Sequence, residues 1–150
     1  MDLRIEPIAA ADQAAARALV LAGMEEHWGE LDPTLNPDLD DIATHYDDAV
    51  FLVGRVGARV VATGALLLRS SDEGVIVRMA VAPDLRRHGL GRQMVAALCT
   101  EARARGMRRV VLETTTDWTD VVAFYERCGF RPTHQKIGTW STDTWFALDL

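Results

Sequence analysis

Val81-Ala82-Pro83-Asp84-Leu85-Arg86-Arg87-His88-Gly89-Leu90-Gly91-Arg92 is the stretch on which the fold of this chain turns. An apolar strand ends at a proline, a short polar turn follows, and an amphipathic pattern begins at two glycines. Pro83 cannot donate to a sheet ladder, so the strand should stop about there. The first N–H groups of a helix have no partner inside it. With the helix dipole behind them they favour an anion. Glycine keeps side chains from holding such a ligand off the backbone, and arginines at the rim add charge-assisted bonds. A plain strand-to-helix connection with solvated arginines gains nothing from two glycines in the first helical turn, where each costs ~1 kcal/mol against alanine. The pattern predicts a phosphate-binding loop. It is not the P-loop of NTPases, because no Gly-Lys-Ser/Thr follows. Nor is it the dinucleotide fingerprint, which needs a third glycine.

Working outward, Val75 to Val81 reads as the third of three successive strands. Ala49 to Val56 and Arg59 to Leu68 precede it as a hairpin about Gly57. Ser70 to Gly74 is the turn between. Downstream, a helix is expected from about Gly89 to Arg105, with Leu90, Met94, Leu98 and Ala102 on its buried face and Gly106 ending it. Val110 to Leu112 is continuously apolar, as in a strand buried on both faces. A last helix runs from about Thr116 to Cys128 and stops at Gly129. Phe130 to Thr133 and Trp145 to Leu150 are the remaining strand candidates. Toward the N-terminus, Leu3 to Ile8 alternates as a half-buried strand does, and Ala9 to Met24 should be helical. Trp28 to Pro37 reads as a loop. Asn36 can cap a second short helix that opens with Pro37 and runs toward Tyr46. The order β-α-α-β-β-β-α-β-α-β-β implies an α/β (α+β) fold, a mixed sheet with helices on both faces. Val75 to Glu113 forms its right-handed parallel crossover.

The 150 residues suit one domain, 1–150, with a substantial core. The formal net charge of −6 argues against nucleic acid as the main partner. Arg86, Arg87 and Arg92, with no acid between them, make a cationic island in an anionic chain, which suits a phosphate ligand. No stretch is apolar enough to cross a bilayer, and the first residues lack the apolar run of a signal peptide. A cytoplasmic protein without membrane partners is expected. Cys99 and Cys128 sit among core-spaced apolar residues and read as buried thiols. Without histidines at ligand spacing they make a poor zinc site, so no metal is expected.

Arg86-Arg87-His88-Gly89-Leu90-Gly91 resembles the Arg/Gln-x-x-Gly-x-Gly/Ala signature that GNAT N-acetyltransferases carry between their fourth strand and third helix. Val77-Arg78-Met79-Ala80-Val81-Ala82-Pro83 looks like that fourth strand. Phe124-Tyr125-Glu126-Arg127-Cys128-Gly129-Phe130 resembles the family's second signature. The likeness is specific from Gly74 to Phe130 and is one of element order before that. It implies the GNAT three-layer fold, a mixed, mostly antiparallel sheet whose fourth and fifth strands splay apart around acetyl-CoA. Backbone groups of Met79, Ala80 and Val81 would pair with the pantetheine arm like an added strand. Arg86 and the N–H groups from Arg87 to Arg92 would hold the pyrophosphate. Tyr125 would lie near the thioester sulfur and protonate the leaving thiolate. Trp118 stands where many members have an asparagine that bonds the cofactor. Its indole N–H can donate there, though not accept, or the ring can wall the acceptor pocket. A homodimer is common in such enzymes.

The chemistry sets further expectations. A thiol of pKa ~8.5 leaves readily as thiolate, and a hydroxyl donor beside it helps. Adjacent on a helix, Phe124 and Tyr125 point in different directions, so Phe124 can be core while Tyr125 faces the cleft. A tyrosine buried and bonded to backbone is the other reading. An alkyl amine of pKa ~10 must lose a proton before attack. Some relatives use a strand-four glutamate for this, but that position is Val75 here. Glu113, at the end of the buried strand, is the candidate base, acting through water; a plain strand-end charge is the alternative. His27 is a second candidate for the base, His88 reads as a rim residue, and His45 and His134 have no evident partner. The acceptor pocket is expected from Glu25 to Tyr46 and the C-terminal strands. Trp28, Tyr46, Trp140 and Trp145 beside Glu30, Asp32 and Asp38 suit a cationic amine with an apolar body; a solvated acidic loop over core tryptophans is the other reading. The expected activity is acetyl transfer from acetyl-CoA to a primary amine of a small molecule or peptide in a ternary complex, since no nucleophile is evident. The alternative is an acyl-CoA-binding module without turnover. An acceptor such as charged tRNA is disfavoured by the negative charge.

Overall fold

A computed structural model describes residues 2–150. Its elements are β1 (Leu3–Pro7), α1 (Gln13–Trp28), α2 (Ile42–His45), β2 (Val50–Val56), β3 (Arg59–Leu68), β4 (Glu73–Val81), α3 (Leu90–Ala104), β5 (Arg109–Thr115), α4 (Thr119–Arg127), β6 (Arg131–Ile137) and β7 (Thr142–Asp149). Among the described residues the seven strands form one sheet in the order β1-β2-β3-β4-β5-β7-β6. Every neighbouring pair is antiparallel except β4 and β5. On one face α3 and α4 pack on the sheet through Met94, Leu98, Leu112 and Phe146. On the other, α1 and α2 cover Phe51, Val53 and Ala65. Helices on both faces and the parallel crossover through α3 match the expectation from element order. No helix among the described residues is long and apolar enough to cross a membrane.

The differences lie where tertiary contacts set element ends. Residues 10–12 form a 3-10 turn, so α1 begins at Gln13 instead of Ala9. Asp12 accepts the Ala9 N–H at 2.8 Å and holds Arg55 of β2, which fixes the start from outside the helix. The helix runs beyond Met24 to Gly29, whose φ of 82° ends it. The expected second helix is split into a 3-10 turn at Pro37–Leu39 and the short α2. Asp41 caps α2 by accepting the Thr44 N–H. Gln13 bridges the break, donating to the Leu39 carbonyl and accepting from the Ile42 N–H. Strands β5 and β7 extend through polar Glu113–Thr115 and Asp143–Trp145, which pair with one another. β6 is longer than the expected Phe130–Thr133 and exposed along its whole length, held by its ladder with β7.

β4 and β5 pair only at Glu73–Arg109, Gly74–Val110 and Val75–Val111. Beyond Val75, β4 continues to Val81 with no partner on that side among the described residues. A bulge turns it away: Val77 opposes Ala65 and Ala80 opposes Thr63, so Arg78 and Met79 share Gly64. Bulges bend a strand and re-aim its side chains. Arg78 takes a left-handed φ of 57°, and its carbonyl accepts the Thr63 hydroxyl at 2.8 Å. Gly64 is required by close approach, since a Cβ there would lie 2.8 Å from both Met79 Sδ and Met94 Cγ. The strands therefore splay, as the fold class anticipated.

Candidate active site

The splay opens into a cleft of about 1070 Å³ bordered by β4, β5, the turn before α3, and α4. At that turn Arg87 (φ 64°) and Gly89 (φ 80°) are both left-handed. The first helical bond of α3 runs from the Gln93 N–H to the Gly89 carbonyl. Among the described residues, none accepts from the backbone N–H groups of Arg87 through Arg92. Successive N–H groups in such a turn form an anion-binding concavity. The glycines divide the work. A Cβ at Gly89 would meet nothing within 4 Å, so its need is the left-handed backbone. A Cβ at Gly91 would lie 3.1 Å from the Phe124 ring, so that glycine lets α3 close on α4.

The rim arginines are partly committed elsewhere. Arg86 binds both carboxylate oxygens of Glu26, one at 2.7 Å. Arg92 donates to the Arg127 carbonyl at 3.1 Å, tying α3 to the end of α4. Arg87 makes no side-chain hydrogen bond to any described residue, and its side chain is exposed. His88 Nδ1 donates to the Arg86 carbonyl at 2.9 Å and so braces the turn. Leu90 is core. Met79, Ala80 and Val81 border the cleft. Ala80 and Val81 pair with β3 on one side and, among the described residues, with nothing on the β5 side.

Tyr125 and Phe124 differ from the expected division. Tyr125 is the more buried, 7 % exposed, its ring against Phe124 and Phe130; Phe124 is half-buried and borders the cleft. The Tyr125 hydroxyl makes no hydrogen bond to a described residue. Tyr125 nonetheless lines the cleft. Burial pushes its pKa far above the ordinary phenol value, so it keeps its proton. Cys99 is buried, whereas Cys128 is only half-buried at the cleft edge. Burial pushes both thiols up, so neither is a ready nucleophile.

Glu113 borders the cleft from β5. Desolvation by the sheet, and next the nearby Asp143, raise its pKa above the usual carboxylate range, with Lys136 opposing. Trp118 precedes α4 and packs tilted against His27 (ring centroids 4.2 Å apart) and edge-on to Trp28 (5.1 Å), and all three line the cleft. His27 Nδ1 donates to the Gly23 carbonyl at 3.1 Å. Trp28, Asp38 and Tyr46 reach the cleft as expected; Glu30, Asp32, Trp140 and Trp145 are not among its walls. Trp140 is 90 % exposed, and His134 stacks on Trp145 with Arg69 at 5.4 Å from the same ring.

Arg78 was not singled out from the sequence, although a charge inside an apolar strand was a visible signal. It binds both oxygens of Asp38, at 2.9 and 2.7 Å, and the Tyr46 hydroxyl donates to Asp38 at 2.7 Å. Burial resists ionisation of Asp38, but the bonds from Arg78 and Tyr46 outweigh it and hold the carboxyl below its ordinary pKa. Burial and then Asp38 push Tyr46 up to about 12. Asp38 is therefore already matched by Arg78 and is no free counter-ion for a cationic amine.

A mixed sheet parted beyond a bulge, with amides at the turn above that have no partner among the described residues, is the arrangement that the resemblance to acyltransferases implied. Residues 14–130 match the Acetyltransferase (GNAT) family, and the chain belongs to that family. It is 32 % identical over 109 residues to an IAA acetyltransferase of Azospirillum brasilense, covering 71 % of each chain. An acetyltransferase structure from Streptococcus agalactiae superposes with a TM-score of 0.87 at 20 % identity, covering 99 % of this chain and 98 % of that one. A Salmonella typhimurium acetyltransferase solved with its cofactor acetyl-CoA gives a TM-score of 0.76 at 20 % identity, over 98 % of this chain and 93 % of that one.

Proposed function

We propose that this chain transfers the acetyl group of acetyl-CoA to a primary amine by direct attack within a ternary complex. The observation that carries the reading is the run of N–H groups from Arg87 to Arg92 without acceptors among the described residues, at the mouth of a cleft between parted strands. The donor set fits a diphosphate: consecutive amides, a helix N-terminus and the exposed Arg87. The β5-facing backbone of Met79 to Val81 suits an extended amide-bearing arm. Acetyl-CoA supplies an activated thioester whose thiol leaves readily. The Tyr125 hydroxyl, kept protonated by burial, donates to the departing sulfur. Glu113, ionised above its raised pKa, takes the proton of the acceptor ammonium, directly or through one water. Trp118 walls the cleft with His27 and Trp28, and Arg86 steadies the turn through Glu26.

The test follows CoA thiol release with a panel of primary amines. Turnover with at least one amine, and acetyl-CoA binding without it, is expected. Tight binding with no turnover and no acetylated product across the panel would favour the non-catalytic module instead. The pH–rate profile identifies the base. Activity should rise as Glu113 loses its proton, and Glu113→Gln should remove that acidic limb and lower the plateau about 100-fold. A limb that persists unchanged in Glu113→Gln takes the role from Glu113.

A further inference from the structure

The polar cluster around Arg78 has no part in gripping an acyl donor, yet it borders the same cleft. Asp38 takes the Nε–H and one Nη2–H of the guanidinium. Asn36 Oδ1 accepts from Nη2 at 3.3 Å. Nη1 reaches the Met24 sulfur at 3.4 Å, a weak acceptor. Among the described residues Nη1 has no oxygen partner, although the side chain is only 21 % exposed. A half-desolvated guanidinium edge makes strong charge-assisted bonds. The bulge aims it, through a left-handed backbone that L-residues rarely adopt.

The facing arm carries the opposite charge. Extending the Val75–Val111 register along the parted strands sets Glu113 level with Val77. That is one residue from Arg78, a step of about 3.3 Å. Side chains alternate along a strand, so Val111 and Glu113 share the face of Val75 and Val77. Val77 packs toward α1, and the partners of Arg78 lie on that side as well, Met24 in α1 and Asp38 beside α2. Asp143, opposite Thr115, stands on this face next to Glu113. An anion-binding edge and a pair of carboxylates thus look across one cleft from its two arms.

We propose that the acceptor is a free amino acid or close analogue, its carboxylate on Arg78 Nη1 and its amine beside Glu113. The inference rests on the acyl-transfer reading of the cleft and names the acceptor class for it. A simple alkylamine offers nothing to Nη1. A peptide N-terminus offers an uncharged carbonyl where this site presents a cation.

The experiment compares matched acceptors on the wild-type enzyme: alanine, leucine and phenylalanine, their decarboxylated amines, and their carboxamides. CoA release and the mass of the acetylated product are the readouts. The acids should show kcat/KM at least about 10-fold above both other sets, the scale of one hydrogen bond to a charged group. Arg78→Gln should erase that preference through the KM of the acid, leaving the KM for acetyl-CoA unchanged; Arg78→Lys should restore part of it. Decarboxylated amines that serve as well as the acids overturn the proposal. So do carboxamides of equal rank, which would mark a peptide N-terminus, and so does an absence of turnover with all three sets in protein that binds acetyl-CoA. Failure to bind acetyl-CoA would instead bring down the acyl-transfer reading, and this inference with it.

Discussion

Gly89→Glu should weaken acetyl-CoA binding by about a thousandfold while leaving the fold intact. The substitution sets a carboxylate at the centre of the bare N–H turn. One unit pair at ~4 Å and an effective dielectric of ~20 is worth about 4 kcal/mol, which is about three decades in Kd. The folded chain should tolerate the change, because a Cβ at Gly89 meets nothing within 4 Å. The remaining cost is the φ of 80°, about 1–2 kcal/mol for an L-residue. Titration calorimetry with acetyl-CoA, beside a thermal melt, separates the two effects. Gly89→Asn is the control, since asparagine accepts the left-handed region and adds no charge. Wild-type affinity in Gly89→Glu would show that the diphosphate lies elsewhere. Gly91→Glu would be a poorer probe, because its side chain must first displace the Phe124 ring.

Tyr125→Phe should lower kcat about 100-fold and leave the KM for acetyl-CoA within about 2-fold, the lower end of what a positioned proton donor contributes. A thiolate is already a fair leaving group, which keeps the loss from being larger. Phenylalanine preserves the ring against Phe124 and Phe130. The lost hydroxyl makes no hydrogen bond to a described residue, so the melting temperature should scarcely move. The phenol is held protonated far above its ordinary range, so it imposes no alkaline limb at working pH. An unchanged kcat would remove Tyr125 from proton transfer. A large fall in melting temperature would show instead that the hydroxyl is structural.

Much of this protein was legible in the residues alone. Strand period, helix faces and the two-glycine turn located β2 through α4 to within a few residues, because those signals are local. The continuous apolar run at Val110 to Leu112 marked the central strand through its burial on both faces. The open amides at the turn were implied by the same local rules, since the start of a helix always leaves donors without partners.

Tertiary structure decided what depends on contacts between distant segments. The bulge at Arg78 needs Gly64 opposite it in β3, and no pattern within β4 contains that information. Asp38 looked like a free acid until the fold brought Arg78 and Tyr46 onto it across 40 and 8 residues. The pairing of Arg86 with Glu26 likewise arises only when α1 is brought against the turn before α3. Periodicity reports which face of an element is buried, but the pairing of charges belongs to the three-dimensional meeting of elements. For that reason the sequence specified the N–H turn of this cleft, and only the folded chain specified the Arg78–Asp38–Tyr46 cluster that borders it.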